Sequence, residues 1–335
     1  MWCRPLGGGR HDVAHIQLLG TGGTIASRGS GDAGSVATDA AADLARGEYG
    51  ELQVSTRDVL RTNSYRLTLG DLRLIADAAR EALLDRGTDG VVVTHGTDTL
   101  EETAFLLDLV HRSPKSVVLT GAQQPADSPA PDGPRNVEEA VLAAASLGLH
   151  NSGVLISFDG TVRSARGARK AHTTASSPFQ GGAEVAHMAG GQLVVTATPR
   201  RHHPPLPLPP AAFDTTRVEI ITAYPGATPD LMDSAVQLGA QAIVLAGTGV
   251  GNAGPGFAGT VTQAVGSGCA VILSTRAPWG PVVPRYGNGG GTDLVAAGAI
   301  PSGDLNPFQA RILAALLLAH GTSPAELSRA FRIHL

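Results

Sequence analysis

The side chains best suited to chemistry follow a run of three valines, Val91–Val93, which predicts a buried parallel strand ending at Thr94. Asp98 and Glu101 stand three residues apart, and this spacing predicts a helix with Asp98 as N-cap and Glu101 closing a capping box. Thr97 and Asp98 would then lie at the carboxyl end of a strand, where open α/β sheets bind ligands. Backbone N–H groups there stabilise anions, including a developing oxyanion. The alternative is that these side chains only form a turn and a cap.

A second hydroxyl, that of Thr24, occupies a comparable place near the start of the chain. The apolar segment 15–19 predicts the first strand, and the glycine-rich turn 20–23 follows it directly. A dinucleotide-binding fingerprint would need a third small residue where Ile25 stands, so a cofactor site is weakly supported. If Thr24 and Thr97 both follow strands of one sheet, they can face one crevice. A nucleophilic hydroxyl in that crevice needs a base or electrostatic help to lose its proton.

Lysine is rare in this chain, which has 23 arginines but only two lysines, Lys115 and Lys170. Lysine can be tuned to transfer a proton whereas arginine keeps its charge, so each lysine is a candidate for proton transfer. Lys115 precedes a predicted strand, where a solvated surface position is expected. Lys170 lies in a polar segment after a strand, and its spacing fits a surface lysine as well as a catalytic one. Asp98 and a lysine together would supply the relay that a threonine nucleophile needs.

Strands and helices alternate in both halves of the chain. The predicted strands are 15–19, 52–60, 91–94, 116–119, 153–156, 218–222, 242–246 and 270–274, and the predicted helices are 69–85, 98–110, 136–147, 230–238, 256–265 and 307–320. This alternation predicts an α/β fold of two parallel-sheet domains, a larger N-terminal catalytic domain (15–198) and a smaller C-terminal domain (214–335). Residues 1–14 are expected to form a disordered tail.

Two segments have neither the apolar pattern of a strand nor that of a helix. In the segment 199–213, five prolines follow His203 within seven positions, which predicts a stiff, extended linker between the domains. The pair His202–His203 has no further metal ligands nearby, so a solvated linker is expected there. The segment 27–38 is rich in glycine, serine and alanine and has no hydrophobic period. It is expected to be a mobile loop, either a lid over a site or an ordinary surface loop.

Composition argues against several classes of protein. The 335 residues carry a net charge of −4 without a basic stripe, so no nucleic-acid partner is expected. No apolar run approaches the roughly 20 residues that span a bilayer, and residues 1–15 lack the apolar core of a secretory signal. We therefore expect no membrane association and a cytoplasmic protein. Cys3 and Cys269 form neither a disulfide framework nor a metal-binding spacing.

Two motifs resemble the signatures of the bacterial L-asparaginase (asparaginase/glutaminase) family. They are Thr21-Gly22-Gly23-Thr24-Ile25-Ala26 and His95-Gly96-Thr97-Asp98-Thr99-Leu100-Glu101-Glu102-Thr103. Shorter matches follow in the family's order: Asn63-Ser64-Tyr65, Gly121-Ala122 with Asp132-Gly133-Pro134 and Asn136, Lys170 with Thr173-Thr174, and Leu305-Asn306-Pro307 with Ala310-Arg311. The resemblance covers nearly the whole chain after the first dozen residues.

The resemblance implies hydrolysis of the side-chain amide of L-asparagine to L-aspartate and ammonia through an acyl-enzyme. Thr24 would be the nucleophile, and Thr97, Asp98 and Lys170 would activate it or the attacking water. The implied substrate contacts are Asp98 with the α-amino group, Ser64 and Tyr65 with the α-carboxylate, Thr97, the backbone carbonyl of Ala122, and Asn252. No metal or organic cofactor is implied. The family also implies a homodimer or homotetramer in which loops of the C-terminal domain complete the neighbour's site.

This chain departs from the family in two places. Two alternative functions also stay open. The segment 27–38 has no lid tyrosine, and the segment 279–291 has no acidic residue to offer a neighbouring subunit. One alternative function is a non-hydrolysing amino-acid-binding protein, against which the retention of both threonines and the lysine argues. The other is a related amidohydrolase, either a glutaminase or an amidase acting on glutamine attached to tRNA. The latter should carry an additional domain and a basic surface.

Overall fold

The N-terminal half is built on one large sheet flanked by helices. The computed structural model of the chain describes residues 13–29, 35–47, 49–199, 201 and 203–335, so the predicted tail lies almost wholly outside the described residues. In chain order, this half contains β1 (His15–Gly22), β2 (Ser27–Gly29), β3 (Ser35–Ala37), α1 (Ala41–Leu44), β4 (Gln53–Thr62), α2 (Leu69–Leu84), β5 (Gly90–Thr94), α3 (Leu100–Val110), β6 (Val117–Thr120), α4 (Gly133–Ala145), β7 (Val154–Phe158), β8 (Thr161–Ser164), β9 (Ala168–Lys170), β10 (Phe179–Gly181), β11 (Glu184–Ala189) and β12 (Gln192–Val195).

Eight of these strands form the sheet, in the order β12-β11-β8-β7-β6-β5-β1-β4. The five strands from β4 to β7 are parallel, and the remaining three add an antiparallel edge. β5, β6 and β7 are buried along their whole length, as apolar parallel strands covered on both faces should be. β1 lies beside β5 with Gly20 opposite Thr94, so the turns that follow these two strands leave the sheet side by side.

The C-terminal half has its own parallel sheet of four strands, β13-β14-β15-β16. Its elements are β13 (Val218–Thr222), α5 (Asp230–Gln237), β14 (Ala242–Gly247), α6 (Phe257–Gly266), β15 (Ala270–Thr275), α7 (Gly291–Ala296), β16 (Ile300–Pro301), α8 (Pro307–Ala319) and α9 (Pro324–Ile333). The prediction of an α/β fold with two parallel-sheet units, the larger one N-terminal, is confirmed. In the described part of the chain, no helix is both long and apolar enough to cross a membrane.

Helix α8 joins the cores of the two halves. Apart from Gln309 and Arg311 its sequence is apolar, a pattern typical of a largely buried helix, and Leu313 and Leu316 are completely buried. The helix packs against α3 through the cluster that holds Phe105 and Leu106, and against the C-terminal sheet at Val244. One continuous apolar core therefore fixes the two halves relative to each other.

The predicted linker has no regular structure from residue 203 to residue 210, and the short 3-10 helix Ala211–Thr215 follows it. It is packed on the N-terminal half, because the Leu206 N–H donates to the Leu109 carbonyl at 2.8 Å and both Leu206 and Leu208 pack against the core. His202 lies outside the described residues. The His203 ring is not fully solvated, since its centroid lies 5.7 Å from that of His334.

The predicted capping box at Asp98 is wrong. Helix α3 begins at Leu100, its N-cap residue is Thr99, and no side chain caps it. Asp98 and Glu101 both accept hydrogen bonds from Lys170 instead, as described below. The two carboxylates thus bond to a residue about 70 positions away in sequence instead of capping the helix next to them.

Other differences are smaller. The segment 27–38, predicted to be a mobile loop, contains β2 and β3, which pair as antiparallel strands; residues 30–34 lie outside the described part. Helix α9 was not predicted, although Ser323, Pro324 and Glu326 supply a capping box with proline at the first helical position. Its apolar face is carried mainly by Leu327 and Phe331, so the periodic signal is short.

Candidate active site

The turns that carry Thr24 and Thr97 touch each other through their backbones. Gly23 has a φ of 85°, and a Cβ built on it would lie 2.3 Å from the backbone nitrogen of Gly96. Only glycine tolerates this combination of conformation and close approach. Thr24 directly follows Gly23 and Thr97 directly follows Gly96, so the pairing of β1 with β5 brings the two hydroxyl-bearing turns together, as the sequence predicts.

Thr24 opens the short 3-10 helix Thr24–Ala26 and is partly exposed. The next residue, Ile25, is buried and anchors the helix. Within the described part of the chain the Thr24 hydroxyl makes no hydrogen bond. The side chain therefore lies at the crevice and is partly exposed to solvent.

Ser64 lies against the same pair of turns. It is 3% exposed, and a Cβ built on Gly96 would lie 2.6 Å from its Oγ. The Thr99 hydroxyl donates to the Ser64 carbonyl at 3.0 Å, which ties the segment after β4 to the turn after β5. Tyr65 differs from Ser64, because its side chain is 67% exposed and its hydroxyl accepts a hydrogen bond from the Asn63 amide at 3.0 Å.

Lys170 reaches Thr97 and Asp98 from the end of β9. Its ammonium group donates to Thr97 Oγ1 at 2.8 Å and to Asp98 Oδ1 at 2.7 Å. The lysine side chain is 16% exposed, whereas the Asp98 side chain is 54% exposed. A hydroxyl, a carboxylate and an amine are therefore in direct contact, and the carboxylate still faces solvent, where it can meet a ligand cation. Lys115, by contrast, donates to the carbonyls of Leu83 and Asp85 at the end of α2.

Glu101 holds the backbone of Lys170 in place. It lies in the first turn of α3, is 5% exposed and accepts a hydrogen bond from the Lys170 backbone N–H. Burial raises the pKa of the Glu101 carboxyl to about 7, although this hydrogen bond and the nearby Arg169 lower it. The spacing of Asp98 and Glu101 predicts only a capping role for Glu101. Its contact with Lys170 depends on how β9 crosses α3, and no local pattern indicates that.

The turn before Lys170 is also held by the C-terminal half. Gln309, at the start of α8, is fully buried, and its amide nitrogen donates to the carbonyls of Ala165 and Ala168 at 3.0 and 3.2 Å. Its side-chain oxygen accepts from the Gly167 N–H at 3.1 Å. All three hydrogen bonds join the Gln309 side chain to one turn, so the position of β9 depends on the docking of α8.

His95 lies in the longer motif but serves the structure of the turn. It is fully buried, and burial lowers its pKa to about 4, so it is neutral near pH 7. Nδ1 lies 2.7 Å from the Gly96 carbonyl, which can only accept, so Nδ1 carries the proton. Nε2 then accepts from the Thr103 hydroxyl at 2.9 Å. Both ring nitrogens are used inside the protein, and none is left for a ligand.

Ala122 and Gln123 follow β6 and close the site on the side opposite β1. Ala122 is buried. No sequence pattern singles out Gln123, yet its side-chain oxygen accepts a hydrogen bond from Thr97 Oγ1 at 3.2 Å. Asn252 lies far along the chain in the C-terminal half, where its side-chain oxygen accepts from the Gly291 N–H at 3.0 Å.

Comparisons with known proteins find relatives along almost the whole chain. The family model described as "Asparaginase, N-terminal" matches residues 15–201, and "Glutaminase/Asparaginase C-terminal domain" matches residues 217–331. A probable L-asparaginase of Deinococcus radiodurans is 37% identical over 95% of this chain and 97% of its own length. L-asparaginase 2 of Bacillus subtilis is 30% identical over 96% of this chain and 87% of its own length. The crystal structure of a probable cytoplasmic L-asparaginase from Campylobacter jejuni superposes with a TM-score of 0.79 at 28% identity, covering 95% of this chain and 99% of that chain.

Proposed function

Since this chain belongs to the asparaginase family and hydrolyses the side-chain amide of L-asparagine, we propose that Thr24 is its nucleophile and that Thr97, Asp98 and Lys170 move the protons. The observation that carries this proposal is the contact of the Lys170 ammonium with both Thr97 Oγ1 and Asp98 Oδ1. Thr97 lies in the turn that packs against the turn of Thr24, and Thr24 is partly exposed.

The reaction runs in two acyl-transfer steps. Thr24 Oγ1 attacks the carboxamide carbon, the C–N bond breaks, and the departing nitrogen takes a proton so that ammonia leaves and an ester remains on Thr24. Water then attacks the ester carbon, the bond to Thr24 breaks, and the threonine recovers its proton as aspartate is released. Each attacking oxygen must lose a proton, and Lys170, in contact with Thr97 and Asp98, is the group through which these protons pass.

Substrate orientation follows from the charges of the site. Asp98 uses Oδ1 for Lys170, and its exposed side chain leaves the other oxygen to the α-amino group of asparagine. Ser64 and Tyr65 take the α-carboxylate, and the Ala122 carbonyl accepts from the side-chain amide. Asn252 belongs to the same substrate site and reaches it from a neighbouring subunit, as the family resemblance implies for loops of the C-terminal half.

We further propose a homodimer or homotetramer located in the cytoplasm. The assembly is supported by the position of Asn252 in the C-terminal half, because the family resemblance implies that loops of this half complete the site of a neighbouring subunit. The compartment is supported by the Campylobacter jejuni structure, which is described as a cytoplasmic L-asparaginase. The substrate is a small molecule, and neither nucleic acid nor a membrane is a proposed partner.

The activity and the nucleophile are tested in one assay of ammonia release from L-asparagine, L-glutamine and D-asparagine. The wild-type protein should release ammonia fastest from L-asparagine, with L-glutamine a minor substrate. Thr24→Ala and Thr97→Val should each reduce the rate about a thousandfold or more, because residues that act as a unit fail together. Circular dichroism checks that both variants fold. Near wild-type turnover in either folded variant would contradict the proposed roles.

A further inference from the structure

The carboxamide of Gln123 makes hydrogen bonds at both of its ends. Its amide nitrogen donates to the backbone carbonyls of Ala175 at 3.0 Å and Thr173 at 3.4 Å. Carbonyl oxygens can only accept, so these two contacts identify which end of the side chain is the nitrogen. The side-chain oxygen therefore faces Thr97, whose hydroxyl donates to it at 3.2 Å.

This contact decides where the proton of the Thr97 hydroxyl points. A threonine hydroxyl has one proton and two lone pairs. The Lys170 ammonium donates into one lone pair at 2.8 Å, so the single proton of Thr97 is directed toward Gln123. Without an acceptor at that position the hydroxyl could rotate and donate to the adjacent Asp98, which would compete with Lys170 for that carboxylate.

Gln123 is itself held firmly. Its backbone N–H donates to the Asp132 carboxylate, with the two oxygens at 3.0 and 3.2 Å. The loop that receives its amide nitrogen is ordered by His172, whose Nδ1 accepts the N–H groups of Thr174 and Ala175 at 3.1 and 2.9 Å. The side chain therefore bridges the turn after β5 and the segment after Lys170 in one defined orientation.

We propose that Gln123 is a positioning residue for amide hydrolysis, which sets the orientation of the Thr97 hydroxyl so that its lone pair is kept for Lys170. The proposal rests on the proposed role of Thr97 and Lys170 in proton transfer. Its effect is on the chemical step: we expect kcat to depend on the side-chain oxygen of Gln123, and KM for asparagine to depend on it much less.

The test compares Gln123→Met, Gln123→Glu and the control Gln124→Met. Methionine has a similar length but removes both the oxygen and the amide nitrogen, and we expect kcat to fall about tenfold with KM changed less than about threefold. Glutamate keeps an oxygen for Thr97 but cannot donate to the loop, so it should recover most of kcat near its pH optimum. Gln124 is exposed, and its variant should match the wild type.

Two results would overturn the proposal. One is an unchanged kcat in folded Gln123→Met. The other is an equal loss of kcat in the Met and Glu variants, which would mean that Gln123 only braces the loop at Thr173 and Ala175. Failure of the proposed function is distinguishable from both, because it would appear as missing ammonia release in the wild type or full activity in Thr24→Ala.

Discussion

At the scale of single residues, the two lysines of the chain form a matched pair for an experiment. Lys170 contacts Thr97 and Asp98, whereas Lys115 only donates to backbone carbonyls at the end of α2. Arginine keeps the positive charge but cannot usefully release a proton, and its planar head group does not fit a site built for a compact ammonium. Lys170→Arg and Lys115→Arg therefore separate proton transfer from charge.

We expect Lys170→Arg to lose more than 90% of asparaginase kcat, a barrier increase of more than about 1.4 kcal/mol. Lys115→Arg should keep wild-type kcat, since the guanidinium can still donate to both carbonyls. The measurement is steady-state ammonia release, with melting temperatures to confirm folding. If Lys170→Arg retains more than about a tenth of the activity, Lys170 supplies charge alone.

Tyr65 is the residue through which the missing lid tyrosine is best examined. The chain has four tyrosines, none of them in the segment 27–38, and Tyr65 directly follows the buried Ser64. General-base assistance typically raises the rate about 100- to 10,000-fold, so the loss of an assisting hydroxyl should be measurable in kcat. We expect Tyr65→Phe to lower kcat about tenfold or more, with KM for asparagine changing less.

The competing outcomes for Tyr65 are specific. The side chain is 67% exposed and bound to Asn63, so it must turn toward the substrate to assist. A variant in which only KM rises would make Tyr65 a substrate-binding residue. If Tyr286→Phe were also silent, a water molecule bonded to Lys170 would be the remaining acceptor for the proton of Thr24.

At the scale of elements, the contact between α3 and β9 is as important as the strand ends. The backbone N–H of Lys170 is received by Glu101, a carboxyl group that is almost completely buried. Gln309 holds the turn before Lys170 from the other side. Lys170 is therefore positioned by two buried side chains on two helices, one from each half of the chain.

The buried carboxyl of Glu101 predicts a pH dependence of stability. Its pKa is raised from 4.5 to about 7 in the folded state, so the folded state binds more protons than the unfolded state between these values. Stability from this group is present at low pH and is lost as the pH rises from 4.5 through 7, by about 3 kcal/mol. Glu101→Gln keeps an oxygen for the Lys170 N–H but does not titrate, so it should lose none of this stability.

The check is the free energy of unfolding in urea for wild type and Glu101→Gln at pH 4.5 and pH 8. The difference between variant and wild type should become more favourable to the variant at pH 8. The control is Glu81→Gln, a substitution of an exposed carboxyl group. His95→Asn is unsuitable as a control because it also removes buried hydrogen bonds. A pH-independent difference for Glu101→Gln would show that the carboxyl does not titrate in this range.

At the scale of the whole molecule, the two halves share one core but leave polar and aromatic loops of the C-terminal half exposed. Trp279 and Tyr286 are 49% and 55% exposed, in the same loop region as the Gly291 N–H that holds Asn252. The proposed site, with Thr24 from one subunit and Asn252 from another, requires an assembly. Light scattering should therefore report a dimer or a tetramer.

Subunit mixing tests the shared site directly. Thr24→Ala and Asn252→Ala should each be nearly inactive alone, but mixed dimers rebuild one intact site from the two unaltered residues. Random exchange should restore about a quarter of wild-type activity, because half of the dimers are mixed and each has one working site of two. No recovery after verified exchange, or a monomer that is fully active at nanomolar concentration, would contradict the assembly.

The sequence by itself determined which segments fold locally and which turns carry chemistry. The valine run before Thr94, the glycines before Thr24 and the alternation of strands and helices are short-range patterns, and the structure places these elements within a few residues of their predicted bounds. Neighbouring parallel strands end at one edge of a sheet, so the meeting of Thr24 and Thr97 was also predictable. The resemblance of two motifs identified the family.

Only the tertiary structure decided which hydrogen-bond partner each polar side chain of the candidate site has. Asp98 and Glu101 have the spacing of a capping box, yet both accept hydrogen bonds from Lys170, which follows Asp98 by 72 residues. Gln123 carries no local signal and becomes visible only when its oxygen is found on the Thr97 hydroxyl. The physical reason is that propensities and caps act over a few residues, whereas these contacts depend on sheet order, on the crossing of β9 over α3 and on the docking of α8.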